Sequence, residues 1–99
     1  MNPLIVAHDD DLIDERSLSK LKWRCRRGLL ENDIFIDRFF RRFESVLTVK
    51  QAQGLSDLME LSDNDLLDLH LARKSLEQVD ANLVCKDVSE VLNMLRQPL

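Results

Sequence analysis

Residues 30–43, LENDIFIDRFFRRF, decide the fold because they hold all four phenylalanines of the 99-residue chain. Apolar residues recur there at three- and four-residue spacing, which places them on one wide face of a helix. We predict a helix over residues 30–45 whose apolar face forms the centre of the core. That face comprises Leu30, Ile34, Phe35, Phe39, Phe40, Phe43 and Leu47.

Helices are also predicted on both sides of this stretch. Residues 17–28 carry an apolar stripe at helical spacing and end at Gly28, a residue type favoured just after a helix. Thr48 and Gln51 match a capping box, in which the threonine accepts a backbone N–H and the glutamine reaches back. A third helix is therefore expected to start at Thr48.

Two more helices complete the predicted fold. Ser62 is expected to cap a short helix over about 63–73, and Asp80 to cap the last one. The fold class is then all-α, a compact bundle of five short, mostly antiparallel helices in a single domain over 17–97. Residues 1–16 are expected to form a flexible acidic tail.

The composition fits one soluble domain and excludes several other classes. A hydrophobic content of 44% against 32% charged residues is typical of globular chains. Two glycines and two prolines are too few for many short strands and tight turns. No apolar run approaches the roughly 18 residues of a membrane span, and residues 1–14 are acidic where a presequence would be basic. We therefore expect a cytoplasmic protein without direct membrane insertion.

The charges are unevenly distributed along the chain. Between Lys20 and Arg42, eight basic residues stand against three acidic ones, whereas the remaining residues include six basic and 15 acidic side chains. A nucleic-acid surface needs a continuous positive footprint, which the acidic flanking segments would interrupt. We therefore predict no nucleic-acid partner.

The sequence contains no catalytic or metal-binding motif. His8 and His70 lack zinc-site spacing, and no nucleophile elbow, P-loop or dinucleotide fingerprint occurs. Cys25 and Cys85 form no C-x-x-C pair, so reduced structural thiols are expected. A small enzyme would need a convergent pocket that no motif indicates. We predict neither enzyme activity nor a resident metal.

One face of the first helix is typical of an interaction surface. On the helical wheel, Trp23 falls roughly 140–180° from the apolar stripe, so it points away from the core. The same outward face carries Lys20, Arg24 and Arg27. Tryptophan and arginine are enriched in interface hot spots. In the competing interpretation, Trp23 packs against the second helix or the tail and the basic residues are merely solvated.

The junction between the first two helices gathers charges around a flexible corner. Arg26 and Arg27 precede Gly28, and Glu31 and Asp33 follow it. As an interface, this corner offers bidentate donors and acceptors that can enter a partner's cleft. The structural alternative is that Glu31 and Asp33 only cap the second helix, where the helix dipole favours carboxylates.

These residues resemble the R-G-x-x-E-x-D signature of the SdhE family, assembly factors that promote covalent FAD attachment to the flavoprotein subunit of succinate dehydrogenase. Residues 26–33, RRGLLEND, carry the signature, and residues 61–69, LSDNDLLDL, are similar to the family's acidic D-x-D-L-x-x-L stretch. The chain departs from the family at Asn32, where many relatives carry an apolar residue. It also departs at residues 69–73, which lack the aromatic residue or glycine often found there.

The resemblance implies a five-helix fold, no independent enzyme activity, and docking of the signature surface onto the flavoprotein near its flavin. The partner is then the flavoprotein subunit of succinate dehydrogenase or fumarate reductase. The chain would act on the FAD of that partner and bind no cofactor stably by itself. We also expect the chain to be a monomer. The residues implied in partner binding are the signature and its flank: Trp23, Arg24, Arg26, Arg27, Gly28, Glu31 and Asp33.

An alternative class stays open beside this one. A generic protein-interaction or antitoxin-like regulatory module would use the same face on a target that is not a flavoprotein.

Overall fold

The computed structural model describes residues 11–26 and 29–96, and the secondary structure of these ranges is helical. Six α-helices follow one another: α1 (Glu15–Arg24), α2 (Leu30–Phe43), α3 (Val49–Leu58), α4 (Asp63–His70), α5 (Leu76–Val79) and α6 (Lys86–Arg96). Two 3₁₀ turns, Glu44–Val46 and Ala81–Leu83, follow α2 and α5. The prediction of an all-α fold is confirmed.

The predicted number of five helices is wrong by one short helix. Ser75 caps α5, a single turn that buries one apolar residue, Leu76. One buried position creates no apolar period, so the hydrophobic pattern does not reveal this helix. Asp80 caps the 3₁₀ turn Ala81–Leu83, and the last helix begins only at Lys86.

Helix α1 begins before the predicted start because Asp14 caps it. The Asp14 carboxylate accepts a hydrogen bond from the backbone N–H of Ser17, and this bond holds the pKa of Asp14 below its ordinary value. The helix ends at Arg24, before the predicted end at Gly28, which lies outside the described residues.

The segment before α1 is attached to the folded body. The backbone N–H of Ile13 donates to the Leu47 carbonyl at 3.0 Å, and that of Val49 donates to the Asp11 carbonyl at 2.8 Å. An isolated antiparallel bridge thus ties this segment to the entrance of α3. The structure therefore differs from the predicted tail over residues 11–16, whereas residues 1–10 of that tail lie outside the described residues.

The core lies where α2, α3, α4 and α6 meet, and its centre includes Phe39, Leu55, Leu66 and Val91. The most extensive helix pair is α3 with α6. Gly54 lets this pair approach closely, because a β-carbon there would lie 3.0 Å from the Asp87 carbonyl oxygen.

The end of α4 is held by two parts of the chain. Helix α4 ends at His70, before the predicted end at residue 73. Ala72 then takes a φ of 58°, the left-handed conformation that glycine usually adopts after a helix. The backbone N–H of Ala72 donates to the Leu69 carbonyl at 3.1 Å. Arg96 of α6 donates its Nε–H to the same carbonyl at 2.7 Å, and burial lowers the pKa of this guanidinium.

Candidate protein-docking surface

The predicted docking residues surround the end of α1 and the start of α2. Trp23 is 75% exposed, so the prediction that it points away from the core is confirmed and it is not packed against α2. Residues 1–10 of the tail, the alternative packing partner, lie outside the described residues. Arg27 and Gly28 lie outside the described residues. The geometry of the surface therefore rests on the residues on either side of them.

An open groove of about 560 Å³ lies between α1 and α2, and Trp23 is part of its lining. We call it the α1–α2 groove. Its charged lining in the described ranges comprises the basic residues Lys22, Arg26 and Arg41 and the acidic residues Asp33, Asp37 and Glu44. Among the described residues, the two signs therefore balance. The groove fits a protein surface that carries charges of both signs.

Arg26 and Trp23 form a pair at the mouth of this groove. The backbone N–H of Arg26 donates to the Trp23 carbonyl at 3.2 Å, which closes the turn after α1. The guanidinium carbon of Arg26 lies 5.6 Å from the centre of the indole ring, within the range of a cation–π contact. Arg26 is exposed beside the indole, and no carboxylate in the described ranges forms an ion pair with it.

Arg24 lies on a different side of α1 from Trp23. Successive residues of a helix are separated by about 100°, and this rotation turns Arg24 toward α3. There it forms an ion pair with Glu60 and lines, with Lys20, a second groove between α1 and α3. The structure thus divides the predicted outward face, leaving Trp23 with Arg26 rather than with Lys20 and Arg24.

Glu31 and Asp33 also lie on different sides of their helix, α2. Both lie in the first turn, where their charges complement the helix dipole. Two residues that are two positions apart on a helix are rotated by about 200° relative to each other. Asp33 therefore lines the α1–α2 groove, whereas Glu31 is exposed on another side of α2. The corner therefore presents carboxylates in two directions.

Two apolar residues of the surface were predicted for the core, and this prediction is wrong. Leu30 is 67% and Ile34 is 53% exposed. The apolar arc of α2 is wider than the surface that its neighbouring helices cover, and these two residues lie at its edge. On the helical wheel they fall within about 60° of Asp37 and Arg41, on the side of the α1–α2 groove. They add exposed apolar area next to the charged lining.

The part of the chain that the structure describes lacks two other features. No group of three or more histidine, cysteine or acidic side chains could hold a metal ion there. Within the same ranges, no helix has the length and apolar character needed to cross a membrane.

The sequence of this chain is similar to a known family and to its bacterial members. Residues 19–97 match the family described as flavinator of succinate dehydrogenase. The chain is 48% identical over 83 residues to the FAD assembly factor SdhE of Ralstonia nicotianae, covering 84% of each chain. It is 35% identical over 79 residues to the FAD assembly factor SdhE of Aliivibrio fischeri, covering 79% of this chain and 92% of that relative. No solved structure matches the chain significantly.

The matched range includes the whole stretch RRGLLEND, residues 26–33, and the groove-lining parts of α1 and α2. The resemblance that these residues indicated is confirmed. The chain therefore belongs to the family of succinate dehydrogenase flavinators.

Proposed function

We propose that this chain binds the flavoprotein subunit of succinate dehydrogenase and promotes the covalent attachment of FAD to it. The match of residues 19–97 to the flavinator family carries the proposal. The exposed Trp23–Arg26 pair beside the signature supports it, because an exposed indole next to a guanidinium is typical of an interface hot spot.

On this proposal, the α1–α2 groove and its rim form the docking surface. Trp23, Leu30 and Ile34 supply apolar area that a partner can cover, and the charges of both signs in the groove select a complementary partner surface. Arg27 would pair with a carboxylate or backbone carbonyls of the partner, and Gly28 would allow close backbone approach.

The chain would act through conformation rather than through catalysis. The bond between the flavin and the flavoprotein would form at the partner's own residues, because this chain offers no group placed for that chemistry in its sequence motifs. By binding one arrangement of the flavoprotein, the chain raises the population in which the flavin and its acceptor side chain are aligned. Glu31 and Asp33 would accept hydrogen bonds across the interface.

A reconstitution with purified components tests this proposal. Apo-flavoprotein is incubated with FAD, with and without this chain, and covalent flavin is measured by its fluorescence in a denaturing gel. We expect a clear increase with the wild-type chain. We expect a loss of roughly tenfold with Arg27→Ala or Gly28→Glu, each checked for its helical circular dichroism. Equal covalent flavin with and without the chain would refute the proposal.

No observation favours the alternative of a generic or antitoxin-like module. Capture of partners from the native cell extract separates the two, since only the proposed function requires a flavoprotein as the main partner. A fumarate reductase partner, a monomeric state and a cytoplasmic location stay predictions.

A further inference from the structure

Two polar side chains lie in the core of the described residues, and they contact each other. Asn32 of α2 is fully buried and His70 of α4 is 3% exposed. The Asn32 side-chain amide donates to the Asp63 carbonyl at 3.0 Å. Its oxygen lies 3.0 Å from Nδ1 of His70. Asn32 thus joins the first turn of α2 to both ends of α4.

The direction of these bonds follows from the chemistry of the groups. Since the nitrogen of the Asn32 amide donates to Asp63, the oxygen faces His70 and can only accept. The proton of that bond therefore resides on Nδ1 of His70. The imidazole is held further by the Phe35 ring, which stacks on it with 4.7 Å between the ring centres.

The first turn of α2 has no side-chain cap of its own. Leu29 stands at the cap position and makes no side-chain hydrogen bond, whereas side chains cap α1, α3, α4 and α5. The position of this turn therefore depends on contacts made elsewhere. Asn32 makes such a contact in this turn and stands between Glu31 and Asp33.

We infer that the buried Asn32–His70 hydrogen bond positions Glu31 and Asp33 for docking, an inference that rests on the proposed function. A buried amide is satisfied in only one arrangement, so it specifies the place of the turn more strongly than an apolar contact would. Asn32 and His70 are positioning residues, because neither is exposed to a partner. Because Glu31 and Asp33 flank Asn32 in the same helical turn, a fixed position of Asn32 also fixes the position of these two carboxylates.

Amide hydrogen exchange tests the positioning within the chain itself. In Asn32→Ala, we expect the Asp33 amide, which donates to the Leu29 carbonyl, to exchange roughly tenfold faster or more. Val91→Ala, a substitution of a buried residue in α6, serves as the control that lowers stability by removing core volume. Exchange at Asp33 that changes no more in Asn32→Ala than in Val91→Ala would overturn the inference.

Calorimetric titration of apo-flavoprotein tests the consequence for docking, at a temperature where each variant is folded. We expect Asn32→Ala to weaken binding roughly tenfold in the wild-type background but less than about twofold in a Glu31→Ala, Asp33→Ala background, because the two effects share one cause. Additive effects would overturn the inference.

A second pair of variants keeps the test independent of Asn32. His70→Asn retains a hydrogen-bond donor toward Asn32, whereas His70→Leu has a similar size but no hydrogen-bond donor. We expect His70→Asn to bind more tightly than His70→Leu, and equal affinities would contradict the positioning role. If the wild-type chain does not bind the flavoprotein at all, the proposed function fails, while the exchange experiment still decides whether Asn32 positions the turn.

Discussion

Gly54 of α3 lies so close to Asp87 of α6 that a β-carbon at position 54 would come within 3.0 Å of the Asp87 carbonyl oxygen. The neighbouring atoms are backbone, which cannot move aside as a flexible side chain could. This contact fixes the separation of the most extensive helix pair in the fold.

Gly54→Val is therefore expected to destabilise the chain by about 2–3 kcal/mol, because the added methyl groups force α3 and α6 apart. Urea unfolding followed by circular dichroism measures the change. Gln53→Val, at the exposed neighbouring position, is the control and should cost about 0.5 kcal/mol. Equal costs at the two positions would show that the helices do not depend on this close approach.

Ala72→Gly is expected to stabilise the chain by about 0.5–1 kcal/mol, because Ala72 holds the left-handed conformation in which a β-carbon is unfavourable. The same change at Ala52, inside α3, should destabilise by about 1 kcal/mol. Thermal unfolding of both variants distinguishes the two signs. A lower midpoint for Ala72→Gly would contradict the assignment.

The cap of α1 should make part of the stability depend on pH. The Ser17 hydrogen bond lowers the folded-state pKa of Asp14, so its contribution is present above the unfolded-state pKa and is lost as the pH falls through the folded-state pKa. We expect Asp14→Ala to melt below the wild type at pH 7, and we expect this difference to shrink as the pH falls below the unfolded-state pKa of about 3.9. Asp14→Asn, which keeps a capping side chain, is the control. A constant difference at all pH values would exclude this role.

Arg96→Ala is expected to lower the free energy of unfolding by about 1–3 kcal/mol, since the Leu69 and Lys74 carbonyls lose a charged donor. Arg96→Lys should recover only part of this, because an ammonium cannot direct two donors as a guanidinium does. Arg73→Ala removes an exposed ion pair with Asp68 and should change stability by less than about 1 kcal/mol. Full recovery by lysine would show that charge alone matters here.

Trp23→Ala is expected to weaken binding of apo-flavoprotein by about 2 kcal/mol or more while leaving the unfolding midpoint unchanged, because the indole is exposed in the free chain. Calorimetry measures the affinity. Leu12→Ala removes another exposed apolar side chain, one that lines the groove between α1 and α3, and should leave the affinity unchanged. Similar losses at both positions would argue against a localised docking surface.

Local signals in the sequence predicted the parts of the fold that depend on neighbours along the chain. The capping box of Thr48 and Gln51 and the cap at Ser62 are confirmed, because both are complete within four residues. The exposure of Leu30 and Ile34 could not be predicted in this way. It depends on how much of α2 the other helices cover, which is set by contacts distant in sequence.

The same distinction between local signals and contacts distant in sequence applies to the candidate site. The wheel of α1 alone predicts that Trp23 points outward. The position of α3 relative to α1 decides that Arg24 pairs with Glu60, and the place of α4 decides that Asn32 is buried. Neither relationship leaves a pattern in the sequence near these residues.

The exposed indole of Trp23 also allows events at the docking surface to be measured by intrinsic fluorescence. The chain has one tryptophan and no tyrosine, so its intrinsic emission reports almost entirely on this position. A partner that covers the indole would shift the emission to shorter wavelength, and a flavin brought near would quench it by energy transfer. Association can thus be followed in real time without attaching a dye.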